Sequence, residues 1–172
     1  MPLLWQAARS EAQNIRKASN IGNTGLADLI KIASKWEASV SVVPLEPGLS
    51  GFIIKEADST PRIYINSGEP VVRQRFTLAH EIGHLVDRNV IARDPDYSFV
   101  DRRGAKYDLH EFFADEFAGE LLMPEAKIKQ WEAAGKSDYE IAEQLGVSVI
   151  ALNKRMERLR KNPSNTEEHL VP

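Results

Sequence analysis

Apolar residues recur along this chain with two different periods, and the switches between periods mark out its elements. Trp5, Ala8, Ala12 and Ile15 fall at i, i+3, i+7 and i+10, which predicts an amphipathic helix ending near Asn20 to Gly22. Leu26, Leu29, Ile30, Ala33 and Trp36 keep a helical spacing, with Thr24 placed to cap it. The period then shortens. Residues 39–45 alternate and are rich in β-branched types, and Pro44 and Pro47-Gly48 close the run. Residues 51–55 and 62–66 read as two more short strands, separated by the turn-forming Asp58-Ser59-Thr60-Pro61. Helical spacing returns at Val72, Phe76, Ala79, Gly83 and Val86, one core-facing stripe. Arg73, Thr77, His80, His84 and Asp87 fall on a separate polar stripe of the same helix.

Residues 88–108 have no clear period and read as a long loop, a length that suits a lid or binding loop as well as a plain connector. Tyr97, Phe99 and Tyr107 lie in it. The next helix, about residues 109–123, is apolar nearly all round, which predicts burial, and Pro124 stops it. The pattern predicts an α+β fold: helices packed on a small three-stranded, mostly antiparallel sheet. Residues 51–55 or 62–66 would offer an edge strand beside the helix that follows, open to an extended peptide.

Composition narrows the classes. The chain has 172 residues, enough for one domain or a core with a small appendage. Hydrophobic content of 42% and charged content of 27% are those of a soluble globular protein. Without cysteine there is no disulfide framework and no thiolate metal site. No run of about 18 apolar residues exists, and the start lacks a basic segment leading into an apolar one. The expectation is a cytoplasmic protein without a membrane span. A net charge of −3 argues against general affinity for nucleic acid.

Candidate chemistry centres on His80-Glu81-Ile82-Gly83-His84. Each helical residue turns about 100°, so His80 and His84 project from one face and can hold one metal ion. Glu81 sits at the edge of that face, where a carboxylate can take the proton of a water on the metal. A histidine pair can equally be a satisfied core pair. A third histidine six residues after the second would need Gly at Asp87 and His at Val90, and neither is present.

Two carboxylates, Glu111 and Asp115, interrupt the apolar helix at i and i+4. A buried carboxylate is costly unless paired or bound to a cation. Two histidines rarely suffice for catalytic zinc, so Glu111 is assigned as third ligand, with Asp115 accepting the free N–H of a zinc histidine. His110 and Asp108 are rival ligands, and pairing of the acids with Arg73 or Arg75 is the bland alternative. The expected cofactor is one Zn²⁺ per chain on His80, His84 and Glu111, with a water in the fourth position and Glu81 as the catalytic base.

After Pro124 the pattern predicts a helix over residues 125–134 ended by Gly135, then residues 138–145, the turn Gly146-Val147, and a helix capped by Ser148. This reads as a helix-turn-helix-like unit over residues 125–161, following a core over residues 1–124. Val149, Leu152, Met156 and Leu159 form its core stripe. Five basic residues from Lys154 to Lys161 stand against Glu157. One basic helix on an acidic chain leaves specific DNA binding unexpected, with the surface of residues 148–155 partly covered by the rest of the chain. Residues 162–172 read as a disordered tail, and His169 there is not expected to be a ligand.

The run Arg75-Phe76-Thr77-Leu78-Ala79-His80-Glu81-Ile82-Gly83-His84, followed by Glu111-Phe112-Phe113-Ala114-Asp115 and by Leu121-Leu122-Met123-Pro124, resembles the ImmA/IrrE family of zinc metallopeptidases. The strand Ile63-Tyr64-Ile65-Asn66 and the later Leu145-Gly146-Val147-Ser148 are similar too, and the resemblance spans roughly residues 50–159. It implies a thermolysin-like, zincin core in which two histidines and the helix glutamate bind zinc. It also implies site-specific cleavage of a partner protein, a repressor or antitoxin encoded nearby. The family often carries Asn where this chain has Asp115, and either residue can orient a histidine. The mechanism implied is metal-assisted amide hydrolysis, with Tyr97, Tyr107 and His110 as candidate oxyanion donors. The competing class is a non-catalytic zinc-containing regulator that binds a repressor or DNA.

Overall fold

The computed structural model describes residues 2–22, 24–93, 97–102 and 107–164, with residues 98–102 described by backbone alone. In chain order these form α1 (Leu4–Ser19), α2 (Leu26–Ser34), β1 (Ser39–Val43), β2 (Leu49–Lys55), β3 (Arg62–Asn66) and α3 (Val71–Val86). A π-helical turn over Asp87–Ala92 follows, then β4 (Tyr97–Arg102), α4 (Leu109–Leu122), α5 (Glu125–Ala133), α6 (Asp138–Leu145) and α7 (Val149–Lys161). The chain divides into two compact units, Met1–Leu122 and Met123–Pro172.

The first unit has the expected α+β character, with helices on a small mixed sheet of four strands rather than three. Strand order is β1-β3-β2-β4. β1 pairs with β3 in parallel, and both other pairings are antiparallel. The added strand, β4, comes from the stretch read as a loop. Its Tyr97-Ser98-Phe99-Val100 alternates over too few residues to register as a period, and pairing with β2 supplies what propensity does not. The rest of that stretch also departs from the expectation, because the helix runs on into the π-helical turn; Asp94 to Asp96 lie outside the described residues. A further correction follows from the order. β2 and β3, expected as edges, are interior strands, and the open edges are β1 and β4.

α3 lies against β2, β3 and α4. It is not two-sided as its stripes suggest: every residue from Thr77 to Asp87 is buried, while Val72 on the expected core stripe is exposed. Leu78, Ile82 and Leu85 join Ile53, Ile63 and Ile65 in the core. Close approach is built in at two glycines. A Cβ on Gly51 would lie 2.7 Å from Thr77 Cγ2 and 2.8 Å from the Tyr64 carbonyl oxygen, so β2 sits this near α3 only as glycine. A Cβ on Gly83 would lie 2.8 Å from Ala114 Cα, which marks the contact of α3 with α4.

α4 is held from its other side by α1. Arg9 Nε lies 2.9 Å from Glu116 Oε2, both side chains almost fully buried, and Gln13 donates to Glu120 at 3.1 Å. The most deeply buried carboxylates of α4 are therefore Glu116 and Glu120, whereas Glu111 and Asp115 keep 23% and 24% of their side-chain surface. Arg75 Nε donates to the Thr24 carbonyl at 2.7 Å, tying α3 to the start of α2. Thr24 thus acts through its backbone, and Gly25 rather than Thr24 is the residue that precedes α2.

In the second unit Ser137 and Glu140 cap α6 reciprocally, Gly146 ends it with φ of 63°, and the Ser148 hydroxyl accepts from the Ala151 N–H at 3.1 Å. Leu152, Met156 and Leu159 are buried as expected, and Val149 is half-buried. Ser148, Ile150, Asn153 and Lys154 are exposed, while Val149 and Ala151 are half-buried and Leu152 and Arg155 buried. Residues 165–172, His169 among them, lie outside the described residues. Among the described residues no helix is long and apolar enough to cross a membrane.

Candidate metal centre

α3 and α4 run past each other so that 80 faces 115, 84 faces 111 and 87 faces 110. This register brings three candidate ligands to one point. His84 Nε2 lies 3.1 Å from His80 Nε2. Glu111 reaches both rings, with Oε2 3.2 Å from His80 Nε2 and Oε1 3.2 Å from His84 Nε2. The two imidazole nitrogens and the Glu111 carboxylate form a triangle in which one ligand atom from each lies within 4.8 Å of the others, close enough to share one metal ion. Two imidazoles and one carboxylate are a donor set able to bind a divalent metal ion such as zinc. Among the described residues this is the cluster of three such side chains able to hold a metal ion.

Charge around the triangle points the same way. His80 is raised to about 10: burial opposes the charged ring, but hydrogen bonds to Asp115 and Glu111 and the nearby Glu81 carboxylate outweigh it. Burial lowers His84, helped by the positive His80 and opposed by Glu111. Glu111 feels burial too, yet its contacts with His80 and His84 hold it far below the usual carboxylate range. Three carboxylates beside two imidazoles thus draw positive charge into a buried place.

The supporting residues follow from the same register. Asp115 Oδ1 lies 3.1 Å from His80 Nδ1, on the ring edge opposite the triangle. Glu81 is fully buried, one residue from His80. The rivals for third ligand are engaged elsewhere. His110 Nδ1 lies 2.6 Å from the buried Asp87 carboxylate. Asp108 caps α4, accepting from the His110 and Glu111 backbone N–H groups at 2.9 and 3.0 Å. Arg73 lies 3.8 Å from Glu69, and Arg75 donates to the Thr24 carbonyl.

The three oxyanion candidates occupy different surroundings. Tyr97 is buried, and burial raises it to about 12. Tyr107 is exposed and donates to Asp115 Oδ2 at 3.1 Å. His110 is half-exposed on its carboxylate. Asp87 was missed as a functional candidate. Its signal was present, since it continues the polar stripe three residues after His84, but nothing in sequence pairs it with a histidine 23 positions away.

The profile of the IrrE N-terminal-like domain family (Peptidase_M78) matches residues 37–157. No curated protein matches the chain. A solved structure of a Mycobacterium tuberculosis transcriptional regulator is similar in fold, with a TM-score of 0.69 at 16% identity. The likeness covers 91% of this chain and 48% of that one, so the chain spans about half the length of that structure.

Proposed function

The chain belongs to the IrrE N-terminal-like domain family, Peptidase_M78, and from that premise we propose that it is a zinc-dependent endopeptidase. Its substrate is a specific protein partner, a transcriptional repressor or antitoxin encoded nearby. The observation that carries the reading is the convergence of His80, His84 and Glu111 beside a fully buried Glu81. His80, His84 and Glu111 hold the zinc, which when bound supplies Lewis acidity toward a water and a carbonyl oxygen. Glu81 takes the proton of the attacking water and passes it to the leaving amine. Asp115 holds His80 at the tautomer that keeps Nε2 as a ligand.

A donor must meet the developing oxyanion. Tyr97 is buried and Tyr107 gives its proton to Asp115, which favours His110 for the role. Its Nδ1 rests on the buried Asp87 carboxylate, which anchors the ring. The substrate strand pairs with an open sheet edge, and β4 is the edge that leads from the π-helical turn toward α4.

A second reading, a zinc-containing regulator without peptidase activity, draws on the name of the similar M. tuberculosis structure. Glu81 separates the two, because a structural site uses four protein ligands and has no need of a carboxylate beside them. The test is incubation of the zinc-loaded chain with the repressor or antitoxin encoded nearby, with products read by mass spectrometry. Wild type is expected to cut one bond, and Glu81→Gln to lose at least about a hundredfold in rate while keeping its zinc. Equal cleavage by Glu81→Gln, or loss of its metal, would remove Glu81 from the role of base.

A further inference from the structure

Asp115 is engaged at both carboxylate oxygens, and the two contacts lead to opposite ends of the site. Oδ1 lies 3.1 Å from His80 Nδ1, and Oδ2 accepts from the Tyr107 hydroxyl at 3.1 Å. A hydrogen-bonded line therefore runs from a phenol that is 53% exposed to an imidazole that is 4% exposed. The base of the tyrosine is fixed as well. Its neighbour Asp108 caps α4 through the N–H groups of His110 and Glu111, which sets the turn from which Tyr107 reaches back to the helix. A carboxylate held at both oxygens has one orientation. With zinc bound, it would keep the His80 proton on Nδ1 and leave the Nε2 lone pair for the metal beside Glu111 and His84.

We infer that Tyr107 is a positioning residue of the metal centre: through Asp115 it fixes the tautomer and direction of His80, and so tightens the hold of the site on zinc. The phenol has a single proton, and giving it to Asp115 is incompatible with giving it to an oxyanion at the same time. The inference rests on the metal-centre reading above. It adds a residue that lies outside α4 and eight positions before its carboxylate partner, a separation with no helical meaning.

The experiment is a zinc titration of the full chain against a chromogenic chelator, with wild type, Tyr107→Phe, Asp115→Ala and the double variant. Tyr107→Phe is expected to weaken zinc binding about tenfold, the low end for an outer hydrogen-bond partner. The low end applies because Asp115 keeps 24% of its side-chain surface, so water replaces part of the lost contact. With Asp115→Ala already present, Tyr107→Phe should cost nothing further, as a route through Asp115 requires. Metal-free Tyr107→Phe should unfold at the wild-type temperature. Wild-type affinity in Tyr107→Phe, or an undiminished loss with Asp115 absent, overturns the inference alone. Failure of wild type to take up zinc overturns the metal-centre reading and this inference with it.

Discussion

At His80 the balance between burial and neighbouring charge decides how the site titrates. Burial lowers the ring, but Asp115, Glu111 and Glu81 carry it to about 10, so it is protonated at pH 7–8 in the metal-free chain. Its contribution to stability is complete below the ordinary histidine value of 6.5 and is lost as pH rises through about 10. His84 is lowered and already neutral, and Glu111 is already ionised. Zinc needs the neutral ring, so its uptake should expel about one proton at neutral pH, with affinity rising as pH approaches the His80 value. Calorimetric zinc titrations in buffers of different ionisation heat measure this directly, and heats independent of buffer would contradict it. The ligand pair was legible because helical spacing alone brings His80 and His84 together. Glu111 was legible because an acid on an apolar helix calls for a cation. Depth of burial does not single it out, since the most buried acids of α4, Glu116 and Glu120, serve α1 instead. Asp87 and Tyr107 were not legible as partners, because their contacts depend on how one element passes another.

Between elements, the spacing of α3 and α4 governs the metal triangle. Gly83 lies one residue from His84, and a Cβ there would meet the Ala114 backbone at 2.8 Å. Backbone cannot swing aside as a side chain can, so Gly83→Ala should push the helices apart and pull Glu111 from the histidines. The expected cost is roughly 1–3 kcal/mol of stability, together with weaker zinc binding. Thermal unfolding and a zinc titration of that variant check it, and wild-type values in both would show that the helices have room. Helical periodicity located α3 and α4 well, because both are long and strongly apolar. It misjudged the faces of α3, since a stripe model assumes that one side meets water, and here the sheet and α4 cover both. β4 escaped for a different reason: a short edge strand is defined by its partner more than by its own sequence.

Across the whole molecule, charge sets what the second unit can bind. Sequence counts five basic residues on α7, but Arg155 is buried and donates to the Met123 carbonyl, and Lys161 pairs with Glu157 at 2.8 Å. The outer face is therefore less basic than its composition, on a chain of net charge −3. Fluorescence anisotropy with duplex DNA should find only weak binding that fades with salt, and sequence-selective binding near physiological salt would favour the regulator reading. The claim on which the rest depends is the ligand set. Zinc-edge X-ray absorption of the loaded chain tests it most directly, since it counts imidazoles and measures bond lengths at the metal. Two imidazoles with oxygen ligands at about 2.0–2.2 Å are expected. A third imidazole, or fewer than two, would mean that His80, His84 and Glu111 are not the centre.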